Sequence, residues 1–310
     1  MDSTMTRRKK RYRVNEISAG TNIVFCIILI LMAIVFVAPV WLVLSVSLTS
    51  AEGLLKNGYQ FWPSEFSLKA YEMIKDTGQG LLNGYKVTIF NAFVGTGLSL
   101  FIQSMFAYVL ARKDFKPRRV LAFYAYFTTL FSGGMVPSYI INARYLHLND
   151  TIWIYLLPGM VSAFNVIILR TFIQTTIPDS LFDAAKIDGA SDWGVYLRIV
   201  MPLFKAGLAT VGLFTFIGKW NDWFTGILYV ENPKLMPAMT VLQKIQQNID
   251  FLKNNAEVAL TPEGMEMLNN IPSESTRMAI TMIVIFPLLV CYPFFQKYFV
   301  KGLTVGSVKG

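Results

Sequence analysis

Side chains that could carry out covalent, metal or phosphate chemistry are few and lie far apart in the sequence. The single histidine, His147, has no second histidine or cysteine at the spacing of a zinc site. Gly218 and Lys219 are followed by Trp220, whereas a phosphate-binding P-loop needs serine or threonine after its lysine. No Gly-x-Ser-x-Gly-like segment marks a nucleophilic serine. The sequence therefore predicts no enzyme active site, no metal site and no bound cofactor.

Side chains suited to binding a polyhydroxylated ligand form a second group. Such ligands are bound by aromatic faces and by amides or carboxylates that form hydrogen bonds with hydroxyl groups. Our candidates of this type for a ligand path are Asn165, Trp220 and Trp223. For the two tryptophans the alternative is an aromatic belt at a membrane interface, which is common in membrane proteins.

The composition indicates the environment of these residues. The chain has 310 residues, of which 54% are hydrophobic and 15% charged, against roughly 45–50% and about 25% in soluble domains. Its mean hydropathy is +0.47. Cys26 and Cys291 both lie inside apolar runs, which argues against a disulfide framework. We therefore predict an all-α membrane protein, because buried charge and unpaired backbone are both costly in hydrocarbon.

Six apolar segments are long enough, at about 20 residues, to cross a bilayer. We place them at about Asn22–Ser47, Val87–Ala111, Val120–Ile141, Thr151–Phe172, Pro202–Trp220 and Met278–Phe295. The third is weakened by Gly133, Gly134 and Pro137. Lys219, near one end of the fifth, is expected to extend its long stem to the membrane interface.

The distribution of charge predicts the orientation. With both termini cytoplasmic, 18 of the 28 lysines and arginines lie on the inner side, as the positive-inside rule requires. The net charge of +9 then reflects topology and contact with anionic lipid, and not nucleic-acid binding. We predict a basic cytoplasmic tail (1–21), a transmembrane domain (22–299) with a long outer loop (221–277), and a cytoplasmic C-terminal tail (300–310). An amphipathic helix is expected within the outer loop over Met239–Leu252.

The segment between the fourth and fifth spans predicts a stiff helix–turn–helix on the cytoplasmic side. Ser180 is a good N-cap, and Asp183 completes a capping-box pattern. A helix over Leu181–Asp188 would end at Gly189, which suits the left-handed position after a helix. A second short helix is expected from Asp192.

This segment, the loop 178–201, resembles the EAA loop of ABC importer permeases. The matching residues are Asp183-Ala184-Ala185, Asp188-Gly189-Ala190 and Met201-Pro202. In that family the helix docks into a groove of a separate ATP-hydrolysing subunit, which binds ATP and magnesium. The resemblance implies this coupling role for Asp183, Ala184, Ala185, Asp188 and Gly189. Asp183 stands where the family usually has glutamate, which shortens its reach.

Other motifs are similar to those of sugar-importer permeases, particularly the subgroup that imports oligosaccharides or polysaccharide fragments. They are Ala107–Arg112, Phe131–Pro137, Leu157–Gly159, Trp220–Trp223 and Phe295–Gly302. The choice of Asn221 and Asp222 as path residues rests mainly on this resemblance. It implies a multi-pass permease in a bacterial plasma membrane, with a second homologous permease, an ATPase dimer and a sugar-binding protein that docks outside.

Three alternatives stay open at this point. The same type of importer could carry another cargo, such as an amino acid or phosphate, because the cargo class rests on resemblance alone. An intramembrane enzyme would need a catalytic constellation that the sequence lacks. A channel or proton-coupled carrier usually places ionisable residues in mid-span, and the centres of these spans are almost free of them.

Overall fold

A computed structural model describes residues 19–77, 79–259, 261–262, 264–265 and 273–307 of the chain. These residues form α-helices joined by short irregular segments, and strand-like pairing among them is confined to one bridge between Thr49 and Phe66. The predicted all-α class is confirmed for this part of the chain. Nearly all of the predicted basic tail lies outside the described residues.

The helices are numbered in chain order through the described residues. They are α1 (Ala19–Ser47), α2 (Ala51–Asn57), α3 (Lys69–Thr77), α4 (Gln79–Phe90), α5 (Thr96–Ala111), α6 (Arg118–Leu130), α7 (Met135–Ile140), α8 (Trp153–Leu156), α9 (Ala163–Thr176), α10 (Asp179–Ile187), α11 (Asp192–Val195), α12 (Met201–Leu203), α13 (Lys205–Trp220), α14 (Phe224–Tyr229), α15 (Ala238–Asn254), α16 (Ala256–Ala259) and α17 (Glu274–Ser307). Turns of π-helix extend α4, α7 and α11 over Asn91–Gly95, Ile141–Tyr145 and Tyr196–Val200.

The first helix, α1, is an apolar rod that the other described residues leave largely exposed over residues 23–37. Its large hydrophobic side chains between Ile23 and Val37 are exposed, and only its C-terminal end, near Val46, is buried. Such a surface is unfavourable in water and matches the hydrocarbon of a bilayer. The first predicted span is therefore confirmed as a helix that is long and apolar enough to cross a membrane.

A single helical rod runs from Gly80 to Ala111 through α4, the first π turn and α5. It is 32 residues long, or roughly 48 Å at 1.5 Å per residue, and starts several residues before the predicted span. Helix α15 packs against α4, whereas α10 lies beside the last turn of α5. Since a bilayer core is only about 30 Å thick, α15 and α10 lie near opposite ends of a rod that exceeds this thickness.

The third predicted span is a bent helix pair, and the fifth is the second part of another pair that begins earlier, at Asp192. In the third, α6 and the α7 segment meet at 114° across the non-helical residues 131–134, and Gly134 has a φ of +87°. In the fifth, the α11–α12 segment and α13 meet at 80° at Phe204, whose side chain is buried in the core.

The fourth predicted span, Thr151–Phe172, is not one continuous helix. It consists of the four-residue α8, an irregular segment through Pro158 and Gly159, and α9. Gly159 has a φ of +69°, a left-handed backbone that cannot continue an α-helix. The described residues thus contain three helices long and apolar enough to span a membrane, or up to five if each bent pair is one span.

The main hydrophobic core joins α5, α9 and the segment from α10 to α12. Val166, Leu169 and Ile173 recur at helical spacing on α9 and are completely buried. Tyr196 is also buried, and its hydroxyl forms a hydrogen bond of 2.7 Å with the Ser104 hydroxyl of α5. This packing makes α10 to α12 part of the same rigid body as α5 and α9.

The last helix, α17, packs against α1 and α13. It contains the predicted sixth span and continues through Ser307, past the predicted start of the C-terminal tail at residue 300. The amphipathic helix predicted in the outer loop is confirmed as α15, which buries Ile249 and Leu252. Residues 266–272 of that loop lie outside the described part of the chain.

Candidate functional site

The helix predicted between the fourth and fifth spans is present as α10, but it begins earlier than expected. Pro178 is its N-cap residue, with extended backbone and no side-chain cap, so the capping box predicted at Ser180 is wrong. Asp179 occupies the first turn and Lys186 the last. Both charges are placed favourably for the helix dipole, which explains why the helix does not need a hydroxyl cap.

The end of α10 has the geometry predicted for Gly189. This residue has a φ of +70°, and its N–H donates to the Lys186 carbonyl at 3.0 Å. The N–H of Ala190 donates to the Ala185 carbonyl at 2.9 Å, which completes a Schellman motif. The next helix then starts at Asp192 as predicted, capped by Ser191, whose hydroxyl accepts from the Gly194 N–H at 3.2 Å.

The two faces of α10 have different surroundings. Ala185 is 5% exposed and belongs to the core, together with the half-buried Leu181 and Phe182. Of the two alanines that the resemblance assigns to coupling, Ala185 therefore faces the core and Ala184 is exposed. The exposed face consists of Asp183, Ala184, Ile187, Asp188 and Gly189. We call these five residues the exposed face of α10.

Ile187 on this face was not singled out by the sequence. Its side chain is 86% exposed, the second highest fraction among the large hydrophobic residues named as exposed. Because α10 ends in a rigid Schellman motif, the isoleucine is held outward and not folded back. An exposed isoleucine beside exposed aspartates, Asp183 and Asp188, fits the pattern of an apolar centre with a polar rim in a protein–protein contact.

Ion pairs fasten α10 and α11 to the end of α5. Arg112 donates to Asp114 through two nitrogens, at 2.8 and 2.7 Å, and to Asp192 at 3.1 Å. Lys186 of α10 donates to the same Asp114 carboxylate at 2.7 Å, and Lys113 pairs with Asp179. We call Arg112, Asp114, Lys186 and Asp192 the ionic clamp.

The clamp is completed by two aromatic rings. The Tyr108 hydroxyl accepts a hydrogen bond of 2.7 Å from Arg112, and the guanidinium lies 5.6 Å from the Tyr108 ring and 5.5 Å from the Phe182 ring. Such distances allow cation–π attraction. The Arg112 guanidinium and then the Lys186 ammonium hold the pKa of Asp114 well below its usual range. Its stabilising charge is therefore present near neutral pH and is lost only as the pH falls through that lowered value.

A polar cavity of about 680 Å³ lies away from α10, beside the middle of α5 and the N-terminal end of α9, within the size range of small-ligand sites. Its walls come mainly from α5, the α7 segment, α8, the N-terminal end of α9, the C-terminal end of α13, and α14. The lining residues that carry hydrogen-bonding side chains include Gln103, Ser138, Asn142, Asn165, Thr215, Lys219, Asp222 and Tyr229.

Of the five predicted path residues, Asn165 and Asp222 line this cavity. The Asn165 amide donates weakly to the Thr215 hydroxyl at 3.4 Å, and one Asp222 oxygen accepts from the Thr225 N–H at 3.1 Å. Trp220 is instead 2% exposed, and its indole donates to the Val284 carbonyl of α17 at 3.1 Å.

Asn221 and Trp223 do not line the cavity either. Asn221 is exposed at the C-cap of α13, and the half-buried Trp223 packs edge-to-face on Phe224. The tryptophan pair therefore supports the packing of α13 and α14, while Asp222 between the tryptophans and Lys219 before them line the cavity. The structure brings together Asn165 and Asp222 and separates both from Trp220.

Gln103 and Lys219 are cavity residues that the sequence reasoning missed. Gln103 is 1% exposed and donates to the Met160 carbonyl at 2.9 Å, while its Oε1 has no partner among the described residues. Lys219 does not extend to the membrane interface as predicted, because its ammonium donates inward to the Tyr155 carbonyl at 2.9 Å. A glutamine in the middle of an apolar span was the available signal for the first of these.

Comparisons with known proteins agree with this architecture. Residues 90–305 match the model of a family described as binding-protein-dependent transport system inner membrane component. The chain is 36% identical to the polygalacturonan/rhamnogalacturonan transport system permease protein YtcP of Bacillus subtilis, over 91% of this chain and 96% of that protein. It is 35% identical to protein LplC of the same organism, over 96% and 99%.

A solved structure has a similar fold. It is a crystal structure of a bacterial ABC transporter involved in the import of the acidic polysaccharide alginate, with a TM-score of 0.76 and 28% identity, covering 92% of this chain and 99% of that one. With the family match over most of the chain, these findings show that the protein belongs to the inner membrane components of binding-protein-dependent transport systems.

Proposed function

We propose that this chain is the permease subunit of an ATP-driven ABC importer for oligosaccharides, and that the exposed face of α10 transmits work from a separate ATPase subunit. In this proposal Asp183, Ala184, Ile187, Asp188 and Gly189 contact the ATPase, and Ala185 holds α10 on the core. The cargo class is supported by the similar proteins, whose names and descriptions refer to polygalacturonan/rhamnogalacturonan and to alginate.

One observation carries the proposal. Helices α5 and α9 each contribute a cavity residue, Gln103 from the middle of α5 and Asn165 from the first turn of α9, and the C-terminal ends of both helices meet α10. About nine residues of α5 separate Gln103 from Arg112, or roughly 14 Å. Because the ionic clamp and the shared core join α10 to these helices, a displacement of α10 must move cavity walls. Alternating access requires two conformations of the permease that differ in their contacts with the ATPase and the other partner subunits.

The topology follows from the same proposal. The α10 end lies in the cytoplasm, where the ATPase dimer binds, and both termini lie on that side, with six spans. Helix α15 then lies on the outer side, where a sugar-binding protein docks, and a second homologous permease completes the path. The excess of lysine and arginine on the α10 side supports this orientation.

Transport by the reconstituted complex tests the function. The liposomes contain this chain, its partner permease, the ATPase and the binding protein. We expect them to take up a labelled oligosaccharide only when ATP is present on the side of the membrane where the ATPase is bound. Vesicles without this chain serve as the control. ATP-dependent uptake of an amino acid or of phosphate, with no uptake of any oligosaccharide, would contradict the proposed cargo.

A further inference from the structure

Lys219 is a cation held inside the polar cavity. It stands in the last turn of α13 and is half-buried. Its ammonium donates to the Tyr155 carbonyl at 2.9 Å, which uses one of its three N–H groups. None of the described carboxylates forms an ion pair with it within 4.0 Å. Two donors of a partly desolvated cation are therefore free to bind a ligand.

The surrounding helices fix the position of this side chain. The π turn in the long rod places Gly95 against the Lys219 stem, so closely that a Cβ at residue 95 would lie 2.8 Å from Cδ of the lysine. The Asn91 amide donates to the Lys219 carbonyl at 3.2 Å. The stem thus crosses the rod at a glycine, and this contact directs the ammonium toward Tyr155 and the cavity and away from the membrane interface.

The cavity also offers groups that suit hydroxyls rather than a second charge. Gln103 has an acceptor oxygen without a partner among the described residues, and Asn165 has only a long hydrogen bond to Thr215. Tyr229 lines the cavity with its ring stacked on Tyr139, centroids 5.4 Å apart. A ligand that satisfies the whole site carries hydroxyls, a ring face for the aromatic wall and a negative group for Lys219.

From these contacts we infer that Lys219 binds a carboxylate of the cargo, so that the cavity takes acidic oligosaccharides built from uronic acids. This inference rests on the proposed function and narrows its substrate class. An ammonium with two free donors in a partly desolvated site favours an anion, because a buried charge is costly without hydrogen-bonded partners, and the nearby Asp222 charge compensates its burial only in part. Asp222 on the same wall accepts from the Thr225 N–H and attracts Lys219 electrostatically without forming an ion pair with it, so the two remaining ammonium donors stay available to a cargo carboxylate.

The test compares an acidic trisaccharide of galacturonic acid with its methyl ester, which has the same skeleton and no charge. Uptake of both is measured with the reconstituted complex carrying wild-type chain, Lys219→Met or Lys219→Arg. We expect Lys219→Met to lower the ratio of acid to ester uptake about tenfold, the effect of one charge-assisted hydrogen bond. Lys219→Arg should retain most of the ratio. The same binding protein is present throughout, so its own preference cancels.

The matched control is Lys234→Met, which removes an exposed lysine outside the cavity and should leave the ratio unchanged. An acid-to-ester ratio that is the same for Lys219→Met and wild type overturns the inference, even where oligosaccharide uptake continues. If Lys219→Met loses all uptake, equilibrium binding of the two trisaccharides to the purified complex replaces the uptake measurement. Equal affinities of wild type and Lys219→Met for the acid would then also overturn the inference. Failure of the wild-type complex to import any oligosaccharide would instead refute the proposed function.

Discussion

Replacing Gly189 with valine is expected to uncouple ATP hydrolysis from transport. A β-branched residue strongly disfavours the φ of +70° that this position has, at a cost of about 1–2 kcal/mol or more. The Schellman motif would open, and Ile187 and Asp188 would leave their places on the exposed face of α10. The core contacts of Ala185 and Phe182 do not depend on the glycine, so α10 itself should persist.

The expected result is a fall in oligosaccharide uptake of roughly five- to thirtyfold, the factor that 1–2 kcal/mol represents, with a smaller loss of ATPase activity. The measurement is the number of sugars imported per ATP hydrolysed by the reconstituted complex. Gly189→Asn is the matched control, because asparagine tolerates left-handed backbone, and a Cβ at this position would meet no atom within 4 Å. Uptake by Gly189→Val equal to that of wild type would contradict the coupling role.

Replacing Arg112 with glutamine is expected to loosen α10 from the cavity helices. The arginine side chain is 10% exposed and is the member of the ionic clamp that contacts both Asp114 and Asp192. Glutamine cannot form the bidentate pair or the cation–π contacts, and lysine would replace them incompletely. The two carboxylates are partly or largely exposed, so we expect a moderate loss of about 1–3 kcal/mol.

Thermal unfolding of the detergent-solubilised complex and the ratio of uptake to ATP hydrolysis measure this effect. Both should fall in Arg112→Gln. Arg119→Gln is the matched control, because Arg119 is an exposed arginine seven residues further along the chain with no ion pair among the described residues. If the two variants behave alike, the clamp does not position α10.

Local sequence was enough to predict the C-terminal end of α10 but not its N-terminal start. A glycine after a polar helix and before a second cap specifies a left-handed residue with few alternatives, and Gly189 adopts it. At the other end, the capping pattern predicted Ser180 as the N-cap, whereas the helix starts after Pro178. Asp179 in the first turn and Lys186 in the last complement the helix dipole, which a search for a hydroxyl cap does not consider.

Long-range contacts explain most of what the sequence could not predict. Hydropathy places Thr151–Phe172 in a span but does not show that Pro158 and Gly159 divide it, since single breaks are tolerated in membrane helices. The direction of Lys219 depends on Gly95 of another helix. The partners of Arg112 include Asp192, which lies 80 residues away, so the Ala107–Arg112 motif could be recognised without revealing its role.

The central claim, that the exposed face of α10 lies in the cytoplasm and docks on the ATPase, is tested most directly by thiol labelling. Cysteine is introduced at Ile187 or at Leu55, which are similarly exposed, at 86% and 88%, in a chain with Cys26→Ser and Cys291→Ala. We expect a membrane-impermeant reagent to label Ile187→Cys only from the cytoplasmic side and the assembled ATPase to protect it. Leu55→Cys should react from the opposite side with no protection. Labelling of Ile187→Cys from the outer side, or undiminished labelling in the presence of the ATPase, would contradict the account.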